Sequence, residues 1–264
     1  MNSKHYLIFI GLFLTLLMAG CKKETEESIP DQPDLPPENA FVQDMGGFGN
    51  SAQRSEGNYN FAALNVGVWN TILYVNLAIP VAAWYKVREV EPVWDKNISA
   101  WKWTKEYNNN SGNYTAQLHG WIQSGEVQWR MYITKQGEYN DFLWYRGTSK
   151  LDGTSGSWRL FRDPVIDQPY IDITWNNELD SDHDDIKYVN SIPNDAGNGS
   201  YIQYGRIDTT GLDIFYDIYL KADNRLIEID YSDATTAGSV RDNVFFGDEN
   251  WHCWNELHQD TTCI

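Results

Sequence analysis

The pattern of hydrophobic and polar positions divides the chain into a helical part and a strand-rich part. From Phe61 to Ile79, apolar residues recur at steps of three and four, which is the period of an α-helix. Only a thin edge of asparagines interrupts the apolar surface, so we expect this helix to be buried. Pro80 is expected to end or kink it, with a second short helix following through Val87.

After Glu91 the spacing changes to alternation with a period of two, as in strands with one wet face. In the clearest case, Val127, Trp129, Met131 and Ile133 alternate with polar or amphipathic residues. The same pattern predicts about ten or eleven strands. They lie near residues 99–107, 114–119, 126–134, 142–148, 157–162, 171–176, 186–190, 201–207, 212–219, 226–231 and 239–242.

The connections between these segments are short and rich in Gly, Asn and Asp, which favours antiparallel hairpins over parallel crossovers. We therefore predict a mainly β protein: an antiparallel up-and-down meander forming a strongly curved sheet or partly closed barrel. One or two N-terminal helices would pack on its apolar face. An outer-membrane barrel has the same alternation, but the apolar helix needs that face for its own burial, which favours the curved sheet.

The first residues have the organisation of an export signal. Lys4 precedes an apolar stretch, Tyr6–Leu17, that is too short for a comfortable membrane span. Met18–Cys21 resembles the lipobox of bacterial lipoproteins. That resemblance implies removal of a signal peptide at 1–20 and acylation of Cys21, which would anchor the chain in a membrane. The alternative is an ordinary cleaved signal that leaves the Cys21 thiol free.

The residues after Cys21 predict a localisation signal followed by a flexible tether. Lys22–Glu27 resembles the short Lys-plus-acidic signal that sends Bacteroidota lipoproteins to the cell surface, although a solvated charge cluster has the same composition. We expect a lipid anchor in the outer membrane that faces the cell exterior. Residues 21–40 are acidic and proline-rich, which predicts a flexible tether. Residues 41–264 form one β-rich domain, with the helix at about 59–87.

The net charge of the chain disfavours some classes of binding partner. The formal net charge is −17, and removing the signal takes away Lys4 but no acid. So acidic a surface argues against nucleic acid and anionic lipid as partners. The sequence identifies no protein partner.

The chain has three cysteines, one near the N-terminus and two near the C-terminus. With Cys21 assigned to lipid, Cys253 and Cys263 are predicted to form a disulfide, because exported proteins occupy an oxidising compartment. His252 and His258 lie close enough in the sequence to suggest a metal site instead. The spacing does not match a known zinc module, so we predict no metal and no cofactor.

Some segments resemble catalytic or metal-binding motifs, but each lacks a residue or a spacing that the motif requires. Gly153–Gly156 lacks the second glycine of a serine nucleophile elbow, and the acidic run Asp180–Asp184 lacks the glycine of a calcium loop. Asp213 and Asp217 are four residues apart on one strand, about 13 Å, which is too far for the carboxylate pair of a glycosidase. We predict that the protein is not an enzyme, with a hydrolase as the less favoured interpretation.

Aromatic residues are abundant, with 12 Trp and 16 Tyr, and most are expected to pack the core. Some fall at positions that should be wet, next to carboxylates, where rings can stack on a sugar while acids bind its hydroxyl groups. The predicted ligand-binding residues are Trp121, Tyr132, Asp213, Phe215, Asp217 and Tyr219.

The segments Trp101–Trp103, Asp152–Gly156 and Trp251–Trp254 resemble those of Trp-rich β-meander lipoproteins of Bacteroidota, a resemblance that implies no particular activity. We expect non-catalytic binding of a hydrophobic or glycan ligand. The alternative is a structural or accessory component of an outer-membrane complex without a small ligand. A pocket of roughly a few hundred cubic ångströms would favour the binding protein.

Overall fold

The structure is a computed structural model that describes residues 28–42, 48, 57–177, 183–207 and 211–263. The predicted signal peptide, Cys21 and two acids of the calcium-like run, Asp180 and Asp182, lie outside the described residues. The chain divides into a first unit that ends at Asp31 and a compact second unit from Gln32 to Ile264.

Fourteen strands form one antiparallel meander in which each strand pairs with the next along the chain, which confirms the predicted fold class. The sheet is not closed, and its first and last strands are its two edges. The elements are α1 (Asn58–Val87), β1 (Val93–Asp95), β2 (Ala100–Asn109), β3 (Gly112–Gln123), β4 (Glu126–Lys135), β5 (Tyr139–Ser149), β6 (Ser155–Phe161), β7 (Pro169–Asn176), β8 (His183–Asn190), β9 (Tyr201–Ile207), β10 (Ile214–Leu220), β11 (Arg225–Tyr231), β12 (Gly238–Arg241), α2 (Asn243–Phe246), β13 (His252–Trp254) and β14 (Asp260–Thr261).

The eleven predicted strands correspond to β2 through β12, although several boundaries differ by a few residues. The alternation missed the two edge strands, β1 and β14, and the neighbouring β13. Each has only two or three residues. A segment this short contains too few positions to establish a period of two.

Helix α1 runs from Asn58 to Val87, which agrees with the predicted helix at about 59–87. Of the two expectations for Pro80, an end to the helix is wrong. A proline removes one hydrogen bond from a helix interior, and its ring crowds the preceding turn. Pro80 is buried, and the packing around it offsets that loss.

The expectation that α1 is buried on all sides is also wrong. One face carries buried residues from Tyr59 to Val87, while Val68 and Val75 on the opposite face are 58% and 66% exposed. The reason is that the sheet stays open. Helix α1 packs on β2 and β3 near one edge and on β10, β12 and β13 near the other, so it lies along the concave side of a curved sheet.

Tryptophans on the concave face lie over glycines of the neighbouring strand. Each pair is directly opposite in the register, and a Cβ built on the glycine would lie only 2.3–2.5 Å from the indole ring. The rings therefore fit only because the partner lacks a side chain. The four pairs are Gly120 with Trp129, Gly147 with Trp158, Gly156 with Trp175, and Gly238 with Trp254.

The segment before α1 also packs into the concave side. Ala40 and Phe41 are fully buried, and the Phe41 ring lies 4.7 Å from the ring of Tyr145. The Trp158 Nε1–H donates a hydrogen bond to the Ala40 carbonyl at 2.9 Å. Pro33 is already buried, so the second half of the predicted tether packs on the domain instead of standing free.

Cys253 and Cys263 form the predicted disulfide, with Cα atoms 5.2 Å apart. The two histidines that raised a metal alternative contact different neighbours. The His252 ring stacks on Phe246 at 3.8 Å, and the His258 ring stacks on Tyr59 at 3.6 Å.

Candidate functional site

The predicted ligand-binding residues lie on the convex face of the sheet in two separate groups. The first group is on β3 and β4, where the Arg130 guanidinium lies 5.1 Å from the centre of the Trp121 ring. Tyr132, on the same face, lies 5.0 Å from the ring of His119. Burial lowers the pKa of His119, with Lys102 acting in the same direction.

The second group is on β10. Phe215 covers Gly205 so closely that a Cβ added to this glycine would lie 2.5 Å from the ring, and Tyr219 lies 5.5 Å from Tyr201. Asp213 lies just before β10 and pairs with Arg206 at 3.3 Å. Every one of these side chains therefore has a partner on its own sheet.

The register shows how far apart the groups are. Trp121 and Asp217 belong to one lateral row of the convex face, but seven strand steps separate them. At about 4.8 Å per step, the separation along the sheet is about 34 Å. The six predicted residues thus do not form one site.

Around Asp217 the convex face carries a charged cluster. Asp217 lies opposite Glu228, which receives two hydrogen bonds from Arg241 at 2.8 and 2.6 Å. Burial raises the pKa of Asp217, and the Glu228 charge raises it further. Burial likewise raises the pKa of Asp230 to about 6, with Asp217 and Glu228 adding to the effect. Within the cluster Glu228 and Arg241 form an ion pair, and none of these residues lines the three clefts that lie beside α1.

An apolar cleft of about 830 Å³ lies elsewhere, on one flank of α1. We call it the α1 cleft. Its wall on the helix is formed by side chains that repeat at steps of three and four, and Val42 and Tyr188 contribute from outside the helix. The lining residues are Val42, Asn70, Leu73, Tyr74, Val75, Leu77, Ala78, Val81, Ala82, Tyr85 and Tyr188.

The α1 cleft exists because the sheet does not close over this flank of the helix. Leu73 and Leu77 turn inward and are buried, whereas Tyr74 and Ala78, one position further, remain exposed. Asn70 is the only side chain with an amide group in the lining, and no lining residue is charged. Sequence reasoning missed the cleft, because a helix apolar on every face gives no sign of which flank stays open.

A second, polar cleft of about 930 Å³ lies where the last turn of α1 meets the β2–β3 and β4–β5 hairpins. Three of its four charged residues are paired with one another, since Glu89 contacts Lys86 at 2.5 Å and Lys105 at 3.1 Å. The rings of Tyr107 and Tyr114 stack on each other at 5.3 Å. Many side chains of this lining therefore already contact one another, which leaves fewer of them free to bind a ligand.

By length and composition, α1 is the one helix in the described residues that could cross a membrane. One third of its most apolar window is buried inside the domain, and a core helix passes the same test of length and composition. Comparisons with known proteins add no family: no family model, curated protein or solved structure matches the chain.

Proposed function

We propose that this protein is a lipid-anchored envelope lipoprotein that binds an apolar, acyl-chain-like ligand in the α1 cleft without catalysing a reaction. The observation that carries the proposal is the cleft itself. Its volume falls within the range of about 300–1,000 Å³ typical of small-molecule sites, and its lining has one amide and no charge.

The chemistry of the lining selects the ligand class. Burying apolar surface gains about 25 cal/mol per Å², whereas a charged ligand placed among these side chains would lose its water without gaining a partner. The aromatic rings of Tyr74, Tyr85 and Tyr188 add flat apolar walls suited to a chain or ring system.

The anchor is supported by the lipobox-like Met18–Cys21 and by the apolar segment before it. Two or three acyl chains on Cys21 would hold the protein permanently on a membrane. Outer-membrane location with the domain facing the cell exterior is supported by Lys22–Glu27. A lipid-anchored domain with an apolar cleft is suited to holding a lipid or another poorly soluble molecule near that membrane.

The test is the affinity of a dansyl-labelled fatty acid, measured by fluorescence in solution. Ala78→Trp places an indole in the cleft and should weaken binding at least tenfold. Val68→Trp adds the same ring to the outward face of α1 at a position that does not line the cleft, and should leave affinity unchanged. Equal affinity for both variants and the unmodified chain, with unchanged thermal unfolding, would contradict the proposal.

Glycan binding is the second candidate, and the polar cleft is the observation that favours it. Asn108, Asn113 and Asn140 supply amide groups there. It ranks below the apolar ligand because the rings of Tyr107 and Tyr114 cover one face of each other and both of their hydroxyl groups are buried. Calorimetric titration with envelope oligosaccharides, compared between the unmodified chain and Asn108→Ala, would detect it.

A further inference from the structure

The face of α1 that points away from the sheet is uncharged and mostly apolar as far as Ala78. Leu64, Val68, Thr71, Val75 and Ala78 follow one another at steps of four and three, and all are exposed. No charged residue occurs in the helix before Lys86, although the chain has a formal net charge of −17. Exposed helix faces normally carry charged and polar residues.

A second element extends this surface at the start of α1. The exposed ring of Phe245 in α2 stacks on Phe61 of α1 at 4.0 Å, and Val244 beside it is 63% exposed. These residues lie about 180 positions apart in the sequence, so the fold itself assembles the surface.

A third element extends the surface further along the helix. Pro164, in the loop between β6 and β7, lines a shared depression with Val75 and Ile79 of α1. Four charged residues also line this depression: Lys135, Glu138, Arg162 and Asp163. The next residue, Val165, is 91% exposed. Single exposed apolar residues are common on soluble proteins, but exposed apolar residues that three neighbouring elements bring together indicate an interaction site.

We infer that this surface, formed by α1, α2 and the β6–β7 loop, rests on the lipid bilayer that holds the protein. The length of the chain before the domain supports this occupant. About twelve residues separate Cys21 from Pro33, the first buried residue among those described, and they span at most about 40 Å when extended.

The chain also enters the domain beside this helix. Arg88, at the end of α1, donates a hydrogen bond from Nη1 to the Pro36 carbonyl at 2.5 Å, and Val42 lines the α1 cleft. An anchor at Cys21 therefore keeps α1 within reach of the membrane. Tyr74, which is 83% exposed, has the mixed polar and apolar character that suits the headgroup region.

Charge favours a bilayer over a second copy of the chain. Two copies, each with a formal net charge of −17 over the whole chain, would repel one another, whereas a zwitterionic bilayer has no net charge to repel the domain. The inference rests on the proposed function in one respect: the anchor at Cys21 is what brings this face close to the membrane. The apolar surface itself does not depend on acylation.

The test is flotation with phosphatidylcholine vesicles, using the chain from residue 21 onward with Cys21→Ser, so that no acyl chain contributes. This protein should float with the vesicles, and Leu64→Glu combined with Val68→Glu, two exposed positions that do not line the α1 cleft, should reduce the bound fraction at least tenfold. Leu226→Glu is the matched control, because Leu226 is 39% exposed on the convex face and should have no effect.

Failure of the unacylated protein to float, or equal flotation of all variants, would overturn the inference. So would light scattering that shows a dimer dissociated by the same two substitutions, since the face would then bind a second copy. Binding of the dansyl fatty acid, measured without vesicles, separates this outcome from failure of the proposed function.

Discussion

The convex face of strands β8–β12 and the outward face of α1 both border water, yet their chemistry is opposite. On the convex face Lys187, Gln203, Asp217, Glu228 and Arg241 form one lateral polar row. On α1 the exposed positions before Lys86 carry no charge at all. The convex face shows what this chain places in contact with water when only solubility is required.

The apolar face of α1 is therefore not a by-product of the fold. The core needs only the opposite face of the helix, where Val66, Trp84 and Val87 are fully buried. Exposed apolar side chains give little stability, and the proposed interaction would account for their presence on this face. The α1 cleft and the surface beside it are the two places where such an interaction fits.

The largest expected effect comes from the concave interior that both surfaces share. Trp158→Ala removes a ring packed between Phe41, Trp84 and Trp175, and should lower the free energy of unfolding by about 3–5 kcal/mol. Trp121→Ala, on the convex face, should cost less than about 1 kcal/mol. Urea unfolding measures both. Similar losses would mean that the concave and convex faces do not differ as described.

A pair of glycine substitutions separates the interior from the helix surface. Gly147→Ala should destabilise the protein by about 1–3 kcal/mol, because its Cβ would come within 2.0 Å of the Ser157 carbonyl oxygen. Gly67→Ala meets nothing within 4 Å and should stabilise α1 by about 0.5–1 kcal/mol. Thermal unfolding compares the two. A loss of stability in Gly67→Ala would show that this flank of α1 is covered.

The convex face should show a pH dependence that α1 lacks. Because burial raises the pKa of Asp230 from 3.8 to about 6, the folded state holds this proton more tightly than the unfolded chain. Its contribution to stability is present below about pH 4 and is lost as the pH rises through about 6. Asp230→Asn should therefore stabilise the protein at pH 7 by about 1 kcal/mol, allowing for partial solvent screening.

Urea unfolding between pH 4 and 7 checks this sign. The difference between Asp230→Asn and the unmodified protein should grow as the pH rises. Arg241→Met, which removes the partner of Glu228, provides a control that should lower stability at neutral pH. A difference that is constant with pH would contradict the assigned burial of Asp230.

The smallest expected effect concerns α1 directly. Val68→Gln replaces an exposed apolar side chain by a polar one, and the free energy of unfolding should change by no more than about 0.5 kcal/mol. Chemical unfolding measures it. A loss of about 2 kcal/mol or more, the usual cost of core truncation, would mean that Val68 is part of the core.

The sequence predicted those features that repeat over many residues. Alternation located β2 through β12, and the helical period located α1, because each spans enough positions for a pattern to be visible. The cysteine pair was also predicted correctly. The short strands β1, β13 and β14 lack such a pattern, and the continuation of α1 through Pro80 depends on tertiary packing.

The candidate site was harder to predict because it depends on which side of α1 remains open. Hydropathy alone cannot distinguish the buried Leu73 from the exposed Tyr74 in a helix that is apolar all round. We predicted ligand-binding residues from aromatic side chains on the solvent-facing side of strands. That reasoning led instead to Trp121 and Phe215, which contact residues of their own sheet. Once the register is known, the glycines that lie opposite tryptophans identify the concave face.

Native mass spectrometry of the protein isolated gently from its host membrane tests the central claim most directly. We expect a non-covalent adduct with the mass of an acyl lipid, retained by the unmodified chain and by Val68→Trp but lost from Ala78→Trp. A protein that carries no such adduct, or one whose adduct survives Ala78→Trp unchanged, would contradict a lipid-binding role for the α1 cleft.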